Sequence, residues 1–265
     1  MPSAAVVGGG KRQHTGAMID PRPLWDFDDP AGSELRLRAA MAGADASDVA
    51  VLQTQVARAL GLQGRFAEAL AVLDGIASTE PEVEVRVLLE RGRVHRSSGA
   101  PDAAAPLFRA AVTAADAAGL DALAVDAMHM VALVLTGDEQ LGYTRAILQR
   151  TRASTDPAAR AWTASILNNL GMAHSDLGQW EEALAAFEEA LAERRTGTDA
   201  KATRVARWMV AWALRNLGRT DGGAGGAARA QGRPDGLRPR RPLCRRRVGA
   251  ARAGRSRPGV TPWRR

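Results

Sequence analysis

Leu167-Asn168-Asn169-Leu170-Gly171-Met172-Ala173-His174-Ser175-Asp176-Leu177-Gly178-Gln179-Trp180-Glu181-Glu182-Ala183-Leu184-Ala185-Ala186-Phe187-Glu188-Glu189-Ala190-Leu191 carries the pattern that decides the fold. Leu167, Leu170, Gly171 and His174 recur at spacings of three and four, and so do Ala183, Phe187, Ala190 and Leu191. Each set draws one apolar stripe along a helix. Between them Leu177-Gly178-Gln179-Trp180 reads as a turn, so the stretch predicts an antiparallel helical hairpin. Gly171 and Ala183 are small where two helices must approach closely, and Leu170, Phe187 and Leu191 fill the space around them.

The same sentence is written elsewhere in the chain. Turn glycines stand at Gly64, Gly99, Gly137, Gly178 and Gly218, with spacings of 35, 38, 41 and 40 residues. Periods of this length mark solenoids, and a helix–turn–helix unit repeats at about 34 residues. The longer intervals predict extended second helices or connectors. A first repeat runs through Val56-Ala57, Leu60, Gly64-Arg65-Phe66, Ala69, Leu73 and Pro81; a second through Leu88, Gly92, His95, Gly99, Ala104, Phe108 and Ala111. The third, Ala122 to Arg152, is the most degenerate, with Gly142 where the second helix wants alanine. The fifth begins at Arg204 with Val210-Ala211, Leu214 and Asn216-Leu217-Gly218-Arg219 and shows no second helix. Upstream, Asp29-Pro30 is a helix start, and Leu35, Leu37, Ala40 and Met41 predict a helix capping the open end, with Leu24-Trp25-Asp26-Phe27 packed against it. The expected fold is an all-α, right-handed α-solenoid of antiparallel hairpins.

These repeats resemble the tetratricopeptide-repeat (TPR) superfamily, and residues 18–219 are similar to a group of actinobacterial TPR proteins of unassigned activity. The closer likeness rests on Leu24-Trp25-Asp26-Phe27-Asp28-Asp29-Pro30, Gln55 to Phe66, Leu88 to Arg93, Asn168-Asn169-Leu170-Gly171 and Arg204 to Trp208. The resemblance implies a non-catalytic scaffold that binds a peptide or protein on the concave face lined by the first helices of the repeats. It leaves the partner open, because function lives in the site rather than the scaffold.

On that face the polar residues outside the stripe are Arg58, Arg86, Glu90, Arg93, Arg96, Asn168 and Asn169. Guanidinium forks and carboxamides suit a peptide backbone or a carboxylate, because they present several donors in fixed geometry. The plain alternative is a solvated face. Chaperone-binding members of the superfamily hold a C-terminal carboxylate with Asn and Lys/Arg on successive first helices. Here Val205, Trp208, Met209 and Trp212 stand where that clamp wants cations, which argues against a chaperone-tail receptor. Trp208 and Trp212, four apart on one helix face, either anchor a ligand or form a surface to be covered by further C-terminal helices.

Composition narrows the remaining classes. With 46% hydrophobic residues the chain can bury a core, and its reliance on Ala and Leu with four Phe and one Tyr favours helix. The single cysteine, Cys244, excludes an internal disulfide and points to a cytoplasmic setting. No apolar run is long enough for a membrane span, since Ala122 to Leu135 is interrupted by Asp126 and His129. His95 and His174 fall on core or boundary positions, and neither His129 nor His14 has a ligand partner at i+3 or i+4, so no metal or other cofactor is expected. No nucleophile elbow or paired-carboxylate constellation predicts an enzyme.

The two ends read differently. Residues 1–17 read as a disordered leader: Gly8-Gly9-Gly10-Lys11 lacks the spacing of a phosphate loop, the charges follow the apolar patch rather than precede it as in a signal peptide, and Met18 is a candidate start. Residues 220–265 hold 13 Arg against two Asp, so the chain's net +7 becomes −4 over residues 1–219. Nine Gly and five Pro among two Leu and two Val predict a disordered tail. Arg238 to Arg247 offers the alternative function, binding of nucleic acid or an acidic partner, although no aromatic is interleaved for base stacking and no recognition helix precedes it. With 34 Arg to two Lys the gene is GC-rich, and the break after Asp221 is compatible with a shifted reading frame whose neighbour encodes the missing helix.

Overall fold

The computed structural model describes residues 18–219, all of whose regular structure is helical. A 3-10 turn at Arg22–Leu24 leads into α1 (Pro30–Ala40), and four hairpins follow. They pair α2 (Ala46–Leu62) with α3 (Phe66–Asp74), α4 (Pro81–Ser97) with α5 (Pro101–Ala117), α6 (Asp121–Ala132) with α7 (Gly137–Ala153), and α9 (Thr163–Asp176) with α10 (Trp180–Arg195). The one-turn α8 (Pro157–Arg160) connects α7 to α9, and α11 (Ala200–Asn216) closes the array. Extended second helices account for the long spacings: α5 and α7 span 17 residues each, against nine in α3.

Local chemistry sets the boundaries. The Asp29 carboxylate accepts the Gly32 N–H at 2.9 Å and Pro30 occupies the first turn of α1, as the sequence predicts; Asp45 and Asp199 cap α2 and α11 in the same way. At Gly64, Gly99, Gly178 and Gly218 the backbone turns left-handed, with φ between 72° and 92°. There the N–H after each glycine reaches the carbonyl five residues earlier, as in Arg65 to Leu60 and Gln179 to His174, at 3.0 and 2.9 Å.

The third hairpin departs from this scheme. Gly137 also has positive φ, but the chain reaches it through extended Thr136, and α7 begins on the glycine itself. The buried stripe of the second helix consequently lies two residues earlier: Phe108, Ala111 and Ala115 follow Gly99 by nine, twelve and sixteen, whereas Thr144, Ile147 and Thr151 follow Gly137 by seven, ten and fourteen. Gly142 is therefore exposed and does not take the place of the alanine.

Apolar burial runs as successive clusters along the array. Leu37, Leu52 and Leu60 form the first, Leu89 and Phe108 the next, then Ile147, Ile166 and Leu167, and finally Phe187 with Met209. Helix α1 covers α2 through Leu37, which is fully buried, while Leu35 points outward and is 70% exposed, contrary to its expected place in that cap. One helix face cannot bury residues two positions apart equally. The expectations for residues 1–17 and 220–265 lie outside the described residues.

Candidate functional site

Arg58 and Arg93 occupy the same register, six residues before the turn glycines Gly64 and Gly99, and Glu90 stands one helical turn before Arg93. Their side chains meet those of α6 in one chain of charges crossing three consecutive first helices. Arg93 bonds Glu90 Oε1 and Asp126 Oδ1, each at 2.5 Å, and the Arg58 guanidinium lies 3.8 Å from the same Glu90 oxygen. The four side chains are only 2–19% exposed, so this is a buried network rather than the solvated face that was the alternative. Burial works against charge at Arg93, but Asp126 and Glu90 together raise its pKa above the ordinary arginine value. Burial likewise works against the Asp126 carboxylate, and Arg93 and Arg58 overcome it, holding the acid below its usual range. At Arg58 burial and the neighbouring Arg93 prevail, and its pKa falls.

Two buried polar atoms of this region have no partner among the described residues, Glu90 Oε2 and His129 Nδ1. His129 lies on α6 one turn after Asp126, with its ring 5.3 Å from Trp162. Burial, reinforced by Arg93, Arg96 and Arg58, outweighs the pull of Asp126 and lowers its pKa to about 4. The imidazole is neutral at physiological pH and keeps free hydrogen-bonding capacity.

The other expected site residues are placed less uniformly. Arg86 is tied to Glu82 on its own helix at 2.8 Å, and Arg96 adds positive charge near His129. Glu90, expected as a surface contact, is buried in the network floor because Arg93 and Arg58 draw it in. Asn168 and Asn169 lie half-buried on α9, outside the ion network. Trp212 repeats the register of Arg58 and Arg93 relative to Gly218, yet it packs edge-on against Trp180 at 5.0 Å and lies 6.2 Å from the Phe187 ring. Trp208 stacks on Trp212 at 6.1 Å and is 45% exposed.

Asp126, His129 and Trp162 were not among the expected site residues. Their trace in the sequence was the interruption of the apolar run Ala122 to Leu135 by two polar groups three apart. His174, by contrast, is buried as expected, with its Nδ1 2.6 Å from Gln179 Oε1. Among the described residues no group of three His, Cys, Asp or Glu side chains could hold a metal ion, and no helix is long and apolar enough to cross a membrane.

Residues 163–196, the α9–α10 hairpin, match the family model of the tetratricopeptide repeat. The whole array is similar in fold to BtubC (BKLC) from P. vanneervenii, with a TM-score of 0.55 at 17% identity over 73% of this chain and 84% of that one. The described residues form a TPR-like helical-repeat array, one hairpin of which matches the tetratricopeptide-repeat model. A second TPR neighbour, a putative kinesin light chain from Podosopora anserina with nearly identical TPR-like repeats, aligns at TM-score 0.50 and 17% identity over 63% of this chain and 86% of that one. At such identity both neighbours speak for the TPR fold alone. No curated protein sequence matches the chain.

Proposed function

We propose that this TPR array binds a linear segment of another polypeptide along the face formed by α2, α4, α6 and α9, and that it carries out no catalysis. TPR arrays are protein-interaction scaffolds in general. The observation that supports the face is the buried chain Arg58–Glu90–Arg93–Asp126 across three first helices, with Glu90 Oε2 and His129 Nδ1 still unpartnered. Buried polar atoms are ordinarily satisfied, so these two stand ready for donors and acceptors from a ligand backbone. Asn168 and Asn169 extend the polar wall on α9, and their carboxamides suit the same backbone.

A random linear peptide library displayed on phage and selected against the full chain tests this reading. Enriched peptides should lose about tenfold or more in affinity, about 1.4 kcal/mol, when Asn168 and Asn169 are both replaced by alanine. Glu188→Ala, on the exposed side of α10, should leave them unchanged. Peptides indifferent to the asparagine pair would place binding elsewhere.

A further inference from the structure

Part of this wall is already covered by the chain itself. Met18 and Ile19 pack on Val51, Val83 and Val87, and the Ile19 N–H donates to Asp48 Oδ1 at 2.8 Å. Further along, the Trp25 indole N–H donates to Gln55 Oε1 at 3.1 Å, and Trp25 stacks on Phe27 with centroids 4.8 Å apart and planes within 7°. The Arg58 guanidinium lies over both rings, 5.8 and 5.5 Å from their centroids, while its other side faces Glu90. The stacked pair thus seals the first member of the buried charge chain, a cation–π contact in a water-poor place.

The same segment reaches the far end of the array. Asp28 pairs with Lys201 of α11 at 2.7 Å, 173 residues away in sequence. The Asp156 carboxylate at the start of α8 acts on Arg22, and Arg86 of α4 acts on Asp20. The segment therefore has charged neighbours on α4, α8 and α11, and apolar ones on α2 and α4. Its only regular structure is the turn at Arg22–Leu24. The Lys201–Asp28 pair is 69% and 78% exposed, so it is weak and screened by salt, unlike the packed hairpins it bridges.

We propose that Trp25-Asp26-Phe27-Asp28-Asp29 is an intrachain occupant of the ligand-binding face, and that the external partner is an acidic peptide with two aromatic residues two positions apart, which binds by displacing it. This rests on the peptide-binding reading above. In the chain's own segment the two rings meet the Arg58 cation and Asp28 meets Lys201, so a competing segment needs the same alternation. The displaced segment lowers apparent affinity by the fraction of molecules in which the face is open.

A fluorescein-labelled peptide with the sequence of residues 19–30, added to the full chain and followed by anisotropy, tests the proposal. Asp28→Lys leaves the hairpins untouched and repels Lys201, so it should bind the peptide about twofold to fivefold tighter than the unaltered chain, the range that an exposed ion pair can supply. The swap Asp28→Lys with Lys201→Asp should return binding to the weak level. Trp25→Ala with Phe27→Ala should also bind more tightly, with circular dichroism confirming an intact helical array. Equal binding by the unaltered chain and Asp28→Lys, or equal binding of a peptide with the same residues in scrambled order, would overturn the proposal. If library peptides that depend on Asn168 and Asn169 bind the unaltered chain and Asp28→Lys alike, the occupant idea falls while the peptide-binding face stands. If no peptide of any kind binds either protein, both fall.

Discussion

The ring of Phe187 fills the space that a side chain on Gly171 would need: a Cβ there would stand 2.4 Å from the ring. Phe108 and Gly92 repeat the relationship at 2.4 Å two hairpins earlier in the array. Both rings are fully buried, so neither can swing into solvent. Close approach of the paired helices is bought here by a missing side chain.

Gly171→Ala should accordingly destabilise the protein by about 1–3 kcal/mol, although alanine favours an isolated helix by about 1 kcal/mol over glycine. Adding Phe187→Leu should recover part of the loss by vacating the space. Denaturant titration reads both, and a Gly171→Ala protein as stable as the parent would mean that the ring yields freely. Because TPR units contact mainly their neighbours, hydrogen exchange in Gly171→Ala should quicken in α9 and α10 and change little in α2 to α5.

Arg93 joins Glu90 of its own helix to Asp126 of the next repeat. Its removal leaves buried Asp126 without its paired cation and Glu90 with only the longer Arg58 contact, a change that costs about 3–5 kcal/mol. Arg86, paired only with Glu82 one turn away, should cost about 1 kcal/mol or less as alanine. Thermal unfolding of Arg93→Ala and Arg86→Ala compares them directly. An Arg93→Ala protein that unfolds with Arg86→Ala would show that water enters and screens the network.

His129 has a folded pKa of about 4, below the 6.5 of a free histidine. Between these values the unfolded chain takes up the proton that the folded one refuses. Stability therefore rises with pH from 4 to 6.5 and is lost as pH falls through that window, by about 3 kcal/mol at most at about 1.4 kcal/mol per unit. His129→Gln, which cannot titrate, should flatten the slope of unfolding free energy in that range. An unchanged slope would assign the acid sensitivity to other groups.

Trp212 and Trp208 stack on one helix but should differ in their contributions. Trp212 packs against Trp180 and near Phe187, so alanine there should cost about 2–4 kcal/mol, toward the lower part of the range for large aromatic truncations. Trp208, 45% exposed, should cost about 1 kcal/mol or less. Chemical denaturation of the two variants separates packing from surface. Equal losses would mean that Trp208 is covered in solution.

The residues alone determined the hairpins, because three- and four-residue spacing and a left-handed glycine are local facts about a chain. Leu170, Gly171, Ala183 and Phe187 announce which faces meet, and Asp29-Pro30 announces where a helix begins. The third hairpin escaped because its register depends on whether the turn glycine follows the end of the first helix, as Gly64 does, or opens the second, as Gly137 does, and the sequence shows only a glycine. The charge network escaped for a different reason. Arg58, Arg93 and Asp126 are each ordinary polar residues on an amphipathic helix, and only the stacking of three first helices removes them from water. Burial then turns three solvated charges into one interdependent set, through the low dielectric that a folded interior alone supplies. The approach of Asp28 to Lys201 is decided wholly at that level, since no periodic pattern in a sequence records which distant segments the curvature of an array brings together.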